Sequence, residues 1–275
     1  MAHAVEAPAM EAGLLAGRVA FITGAARGIG RAIAERYVQE GAAVVLGDID
    51  GPAVATAAAE VGRVGGGSQA SAVVVDVTSL SSLGDALSEC LVRHGRVDSV
   101  VANAGILHLQ HVLDTPLDRW RRVLEVNLTG AFLTCQIFGR QLVEQGQGGS
   151  MILTSSLFGV RGGVENGAYS ASKFGLIGLM QSLAAELAPH GILVNAVCPG
   201  QVDTDMMRAL FRDRAALRGQ TEGAVQRELE QRVPLGRLAS VSEIADIYVF
   251  LASRLNHYIT GQSLVADGGW LVGPA

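Results

Sequence analysis

Short, unbroken apolar runs alternate along the chain with longer stretches in which apolar residues recur every three to four positions. Residues 18–23 (RVAFIT) form the first run. Gly24 to Gly30 follow as a glycine-rich segment, and Ile33, Ala34, Tyr37 and Val38 then recur at helical spacing, which predicts strand, tight turn and helix. The runs 42–47, 71–75, 97–102, 150–154, 191–197 and 262–266 predict six further strands. Helices are predicted over 80–93, 117–145, 168–188, 205–232 and 241–252, and the glycines at 65–67 join a helix to the third strand. The strands are continuously apolar rather than alternating, so both faces of the sheet must be covered. With regular strand–helix alternation, this predicts a single-domain α/β fold doubly wound around a parallel, seven-stranded sheet. No linker divides residues 17–275, and residues 1–16 read as a loose tail.

Composition narrows the picture. With 275 residues, 49% of them hydrophobic, the chain supports one large core. The net charge of −5 and the lack of a Lys/Arg run argue against nucleic acid as a partner. Cys90, Cys135 and Cys198 are far apart and read as buried thiols in a reducing compartment, and the histidines show no metal-ligand spacing, so no metal is expected. No uninterrupted apolar run is long enough for a membrane span, and the N-terminus lacks the features of a signal peptide. The expected location is the cytoplasm.

In a parallel α/β sheet, ligands bind beyond the C-terminal ends of the strands. There stand Gly24–Gly30, Asp48, Asp76, Asn103–Gly105, Ser155, Ser156 and Pro199–Thr204, which are small, polar or acidic as a nucleotide rim requires. Glycines at 24, 28 and 30 let the backbone approach a diphosphate, and the N–H groups of the following helix then face the anion. A tight turn alone also demands glycine, but Asp48, 18 residues after Gly30, adds a carboxylate able to accept hydrogen bonds from adenosine ribose hydroxyls. It would repel a 2′-phosphate, so NAD is favoured over NADP; Arg27 in the turn is the opposing signal. Tyr169 and Lys173, four residues apart, share a helix face. A cation there lowers a phenol's pKa from its usual ~10 and fits it for proton transfer. Ser156, ending the preceding strand, is placed to hold a reacting oxygen. Taken alone, the pair also fits a capping tyrosine and a snorkelling lysine.

TGAARGIG at 23–30, Asp48, Asp76-Val77, ANAG at 102–105, Asn127 in EVNLTG, TSS at 154–156, YSASK at 169–173, PGQVDT at 199–204 and TGQSLVADGG at 260–269 occur in one order. Across about residues 15–270, the chain thereby resembles the short-chain dehydrogenase/reductase family. One departure is Ala102, where many members have Asn. The resemblance implies a Rossmann-like sheet of order 3-2-1-4-5-6-7, a homotetramer, and a helical segment at about 204–235 covering the substrate. It implies Tyr169 as acid/base, Lys173 lowering its pKa and binding the nicotinamide ribose, Ser156 orienting the reacting oxygen, and Asn127 holding a water in a proton relay. It places Gly24, Arg27, Gly28, Ile29 and Gly30 at the diphosphate end of NAD. Asp48, Ile49, Asp76, Val77, Asn103, Ala104 and Gly105 fall at the adenosine end, and Pro199, Gly200, Val202 and Thr204 at the nicotinamide. By position, Leu107, Leu157, Arg161, Val164, Asn166, Gln201 and Met206 join Ser156 and Tyr169 in contacting the substrate. The reaction so implied interconverts a secondary alcohol (a polyol, sugar derivative or cyclic alcohol) and its ketone. The alternatives are an NADP-dependent ketone reductase, a nucleotide-sugar epimerase or dehydratase, and a non-enzymatic dinucleotide-binding protein.

Overall fold

A computed structural model describes residues 13–64 and 69–273. Seven parallel strands form one sheet of order β3-β2-β1-β4-β5-β6-β7: β1 Val19–Thr23, β2 Ala43–Asp48, β3 Ala70–Val74, β4 Ser99–Ala102, β5 Gly149–Thr154, β6 Ile192–Pro199 and β7 Ser263–Ala266. The predicted fold class and strand order hold. β1 and β5 are buried along nearly their whole length, which explains their unbroken apolar sequence.

One face of the sheet is covered by α1 (Gly28–Gln39), α2 (Gly51–Val64) and α9 (Val241–Ala252), around a core that includes Ile22, Ile33, Tyr37, Leu46 and Tyr248. The other is covered by α3 (Leu80–His94), α5 (Gly130–Gln145) and α6 (Gly167–Leu187), around Phe21, Leu83, Phe138, Met151 and Met180. Among the described residues, no helix is long and apolar enough to cross a membrane.

Three expectations need correction. The helix predicted over 117–145 is α4 (Leu117–Leu124) and α5, joined by a π-helical turn at Glu125–Thr129 that lets Asn127 turn inward. The helix predicted over 205–232 breaks at Gly219 (φ 64°) into α7 (Asp205–Arg218) and α8 (Glu222–Gln231), the second capped by Thr221. These two helices build a small third core with Leu109, Leu157, Val233 and Trp270. Residues 13–16 are not part of a loose tail. Leu15 is buried and donates its N–H to the carbonyl of Glu40, while the N–H of Leu14 meets the Glu40 carboxylate. The rest of the predicted tail, and the glycines at 65–67, lie outside the described residues.

Candidate active site

A cleft of about 490 Å³ runs across the C-terminal ends of the strands. One end is built by the glycine turn. Gly24 (φ 65°) and Gly28 (φ 58°) take left-handed conformations, and a Cβ on Gly30 would stand 2.3 Å from the carbonyl oxygen of Gly24, so the turn closes only with glycine there. No side chain caps the start of α1, in contrast to the caps of α7, α8 and α9, so its first N–H groups face the cleft unpaired by any side chain. Asn103 braces the turn: its amide donates to the carbonyls of Thr23 (3.0 Å) and Gly24 (3.1 Å).

Asp48 closes β2 at the same end. It accepts from the N–H groups of Ala26 and Asp50, both at 3.1 Å, which fixes the carboxylate while leaving lone pairs toward the cleft. Arg27 is held by Asp50 at 2.6 Å on the exposed rim. Asp76 accepts from the N–H and hydroxyl of Thr78, and these bonds, with the charge of Arg122, hold its pKa below the usual carboxylate value. These groups fit a dinucleotide: bare backbone donors for an anion beside a fixed carboxylate for sugar hydroxyls.

The other end is formed by the first turns of α6 and the end of β5. Lys173 is 3% exposed and donates to the carbonyl of Thr154 at 2.8 Å; its Nζ lies 5.5 Å from the centre of the Tyr169 ring. Burial pushes its pKa down to about 8. A Cβ on Gly105 would lie 3.5 Å from Lys173 Nζ and 3.3 Å from Asn127 Oδ1, so glycine there leaves room for both. The Ser156 hydroxyl accepts from the N–H of Phe158 at 3.1 Å and interacts with the Tyr169 phenol. Ser155 instead donates to the carbonyl of Lys173, on the inner side of α6, which supports Ser156 as the serine directed at a substrate.

The expected lowering of the tyrosine pKa is not found: burial raises Tyr169 from its usual value, the Ser156 hydrogen bond only partly opposes this, and Lys173 exerts no resolved effect.

Most of the anticipated site residues line this one cleft: Gly24, Arg27, Gly28, Ile29, Asp48, Ile49, Asp76, Val77, Asn103, Ala104, Gly105, Leu107, Ser156, Asn166, Tyr169, Lys173, Pro199, Gly200, Gln201, Val202, Thr204 and Met206. Five do not. Gly30 lies behind the turn. Leu157 is buried in the third core, and Arg161 and Val164 face solvent, because the loop after β5 turns outward beyond Phe158. Asn127 is fully buried, its amide accepting from the N–H of Ile106 and donating to the Ile106 carbonyl and the Ser172 hydroxyl. Its side chain thus braces the site from behind. Met207, which with Met206 makes an adaptable apolar wall, also lines the cleft, and the lining residues the sequence did not single out for the site include Val75, Ile106, Val126, Phe158 and Leu210, together with Arg122 from α4, Thr154 and Asp205. Helical spacing from Met206 to Leu210 was the signal for the last of the apolar set. Among the described residues, no group of three or more potential metal ligands exists.

Comparisons with known proteins agree with this geometry. The model of a family described as enoyl-(acyl carrier protein) reductase matches residues 24–271. The chain is 38% identical to an L-rhamnose 1-dehydrogenase (NAD(P)(+)) from Azotobacter vinelandii, over 94% of this chain and 98% of that one. It is 36% identical to a sorbitol dehydrogenase from Cereibacter sphaeroides, over 94% and 99%. A crystal structure of a short-chain type dehydrogenase/reductase from Mycobacterium marinum superposes with a TM-score of 0.84 at 36% identity, covering 94% of this chain and 97% of that one.

Proposed function

The chain belongs to the short-chain dehydrogenase/reductase family, and on that premise we propose that it is an NAD(H)-dependent oxidoreductase interconverting a secondary alcohol and its ketone, with Tyr169 as acid/base. One observation carries the reading. Ser156, Tyr169 and Lys173 converge, largely buried, at one end of a cleft whose other end is the uncapped start of α1 beside Asp48.

The glycine turn would hold the diphosphate, Asp48 and Ile49 the adenosine ribose, Asp76 and Val77 the adenine side, and Lys173 with residues 199–204 the nicotinamide side. When bound, the nicotinamide supplies hydride chemistry at the carbinol carbon. The protein supplies geometry and a proton. Ser156, whose oxygen accepts from Phe158, has one O–H, which meets the Tyr169 phenol and would turn to donate to a substrate oxygen. Tyr169 as the phenol would deliver a proton to a ketone oxygen in reduction, becoming the phenolate, and as the phenolate would take the proton from the alcohol in oxidation. Asn127 holds Ile106 and, through Ser172, the backbone of Tyr169.

The chamber walls are Ile106, Leu107, Phe158, Met206, Met207 and Leu210, with Asn166 and Gln201 as uncharged polar groups. With Arg161 outside the chamber, and of the cleft-lining arginines Arg27 paired with Asp50 and Arg122 near Asp76, the described residues put no basic group other than Lys173 among these chamber walls to bind a carboxylate or phosphate on the substrate. This favours a neutral substrate, such as a cyclic alcohol or a sugar or polyol bearing few hydroxyls toward the wall. A second reading, in which NADP is also used, is favoured by Arg27 at the mouth of the turn and by the relative named for NAD(P)(+). The test is a panel of sorbitol, L-rhamnose, cyclohexanol and a hydroxysteroid with NAD and with NADP, followed by absorbance of the reduced cofactor. Turnover of none of these, together with no binding of NADH, would reject the assignment.

A further inference from the structure

Three walls of the chamber meet at a buried carboxylate outside the catalytic set. The loop between β5 and α6 reads Gly162-Gly163-Val164-Glu165-Asn166, and Glu165 is the one residue other than glycine with a positive φ (67°) among the described residues. That conformation is unfavourable for a glutamate, so surrounding bonds must hold it. They do so from three directions. The Glu165 carboxylate, 3% exposed, accepts from Arg214 Nε at 3.2 Å and from Arg218 Nε and Nη2 at 3.0 and 3.1 Å. Its backbone carbonyl accepts the N–H of Gln110 at 2.7 Å, which ties in the loop carrying Ile106 and Leu107. The next residue, Asn166, lines the chamber and accepts from both the backbone N–H and the hydroxyl of Ser170 in the first turn of α6, beside Tyr169.

Arg214 and Arg218 lie one turn apart on α7, and the beginning of that helix supplies Met206, Met207 and Leu210 to the chamber. We infer that Glu165 is a positioning residue: it clasps α7 and the 106–110 loop to the start of the tyrosine helix and so fixes the shape of the substrate chamber. It touches none of the reacting groups. Burial and the neighbouring Arg218 disfavour the charge on Arg214, and Glu165, in contact with it, opposes this more than Glu228 does, so without the Glu165 carboxylate the guanidinium is driven to leave the interior and take α7 with it. Neighbouring Arg218 also reaches Glu228 on α8 at 3.4 Å, which extends the clasp to the second covering helix.

The proposal rests on the oxidoreductase reading for its kinetic consequence but not for its structural one, and two assays separate them. In Glu165→Gln and in Arg218→Met, hydrogen exchange of amides 205–218 and of Gln110 should rise about tenfold or more, with α1 and β1 unchanged. NADH affinity should stay within about twofold, while KM for the fastest substrate of the panel rises about tenfold and kcat stays within about threefold. Arg218→Lys, which keeps a cation, should recover part of the KM change. The double variant should be no worse than Glu165→Gln alone, because both break one clasp. Unchanged exchange in α7, loosening spread evenly over the sheet, or loss of kcat at constant KM would overturn the clasp. If Glu165→Gln does not fold, Arg218→Met decides alone, since that side chain is partly exposed. Absence of turnover in every variant and in the unmodified protein would defeat the oxidoreductase reading, while the exchange measurement still judges the clasp.

Discussion

Lys173 allows a measurable link between site chemistry and stability. Its burial shifts the pKa from 10.5 to about 8, so the folded protein binds the proton less tightly than the unfolded chain. Below pH 8 both states carry the charge, and the folded state bears the full penalty, about 3 kcal/mol for a gap of this size. Between about 8 and 10.5 the folded state has lost the proton while the unfolded chain keeps it. Stability therefore rises with pH in that window, and the penalty vanishes above it. Lys173→Met removes this titration and keeps every other titratable group, with only the lesser pull of Lys173 on Cys198 lost besides, so the difference between the two proteins reports chiefly on Lys173. Losing the bond to the Thr154 carbonyl costs about 1–3 kcal/mol at every pH and moves the baseline, not the slope. From pH 7 to 9.5 the unmodified protein should gain about 2 kcal/mol over Lys173→Met. Urea unfolding of both ligand-free proteins at equal concentration across that range is the assay, with thermal midpoints expected to shift by about 5 °C relative to each other. Parallel stability–pH curves would refute the claim that burial depresses Lys173.

Other outcomes follow from the same geometry. Tyr169→Phe should lower turnover by about 10²–10⁴ while NADH affinity is kept; turnover within a few-fold of the unmodified enzyme would show that the tyrosine is only a helix residue. The ligand-free protein should show no phenolate absorbance from Tyr169 up to pH 10, read as the difference between the unmodified protein and Tyr169→Phe, because burial raises the phenol further than Ser156 lowers it. NAD should be preferred over NADP by at least about tenfold, or 1.4 kcal/mol, and Asp48→Ala should shrink that ratio; equal kcat/KM with both cofactors in the unmodified enzyme would contradict the role of Asp48. Phe132 on α5 and Phe174 on α6 are 42% and 46% exposed, and β7 is a sheet edge, so light scattering at micromolar concentration should give a tetramer, and a monomer mass would contradict the assembly.

What could be read from the sequence divides along physical lines. The sheet was legible because buried parallel strands leave continuous apolar runs, and strand ends such as Thr23–Gly24 and Asp48 mark the rim by chemistry that the core does not tolerate. Helix breaks were less legible. The π turn at Asn127 leaves no signal in the apolar period, and the stop at Gly219 was hidden because a lone glycine in a charged helix is also tolerated as an interior residue. Leu157, Arg161 and Val164 were misplaced for a related reason. Distance along the chain from Ser156 does not say where a loop points, and here the short 3₁₀ turn at Leu157–Gly159 sends Leu157 inward, after which Val160, Arg161 and Val164 face outward. Glu165 was invisible because its partners lie 49 and 53 residues away.

The departure at Tyr169 has a different origin, and it bears on how the site works. A lysine four residues away on the same helix face suggests a lowered phenol, yet the same burial that brings the two together acts against both charges. It raises the tyrosine and lowers the lysine. Low dielectric strengthens the attraction of a cation for a phenolate, but it also makes forming that phenolate more costly, and at Tyr169 the second effect prevails. The nearly buried lysine and the left-handed Glu165 both break local rules. Each is held by bonds converging on the chamber: the Thr154 carbonyl in one case, Arg214, Arg218 and Gln110 in the other. Stability is given up at those two positions in return for fixed geometry around the cleft, and that is where selection for function rather than folding would concentrate such exceptions.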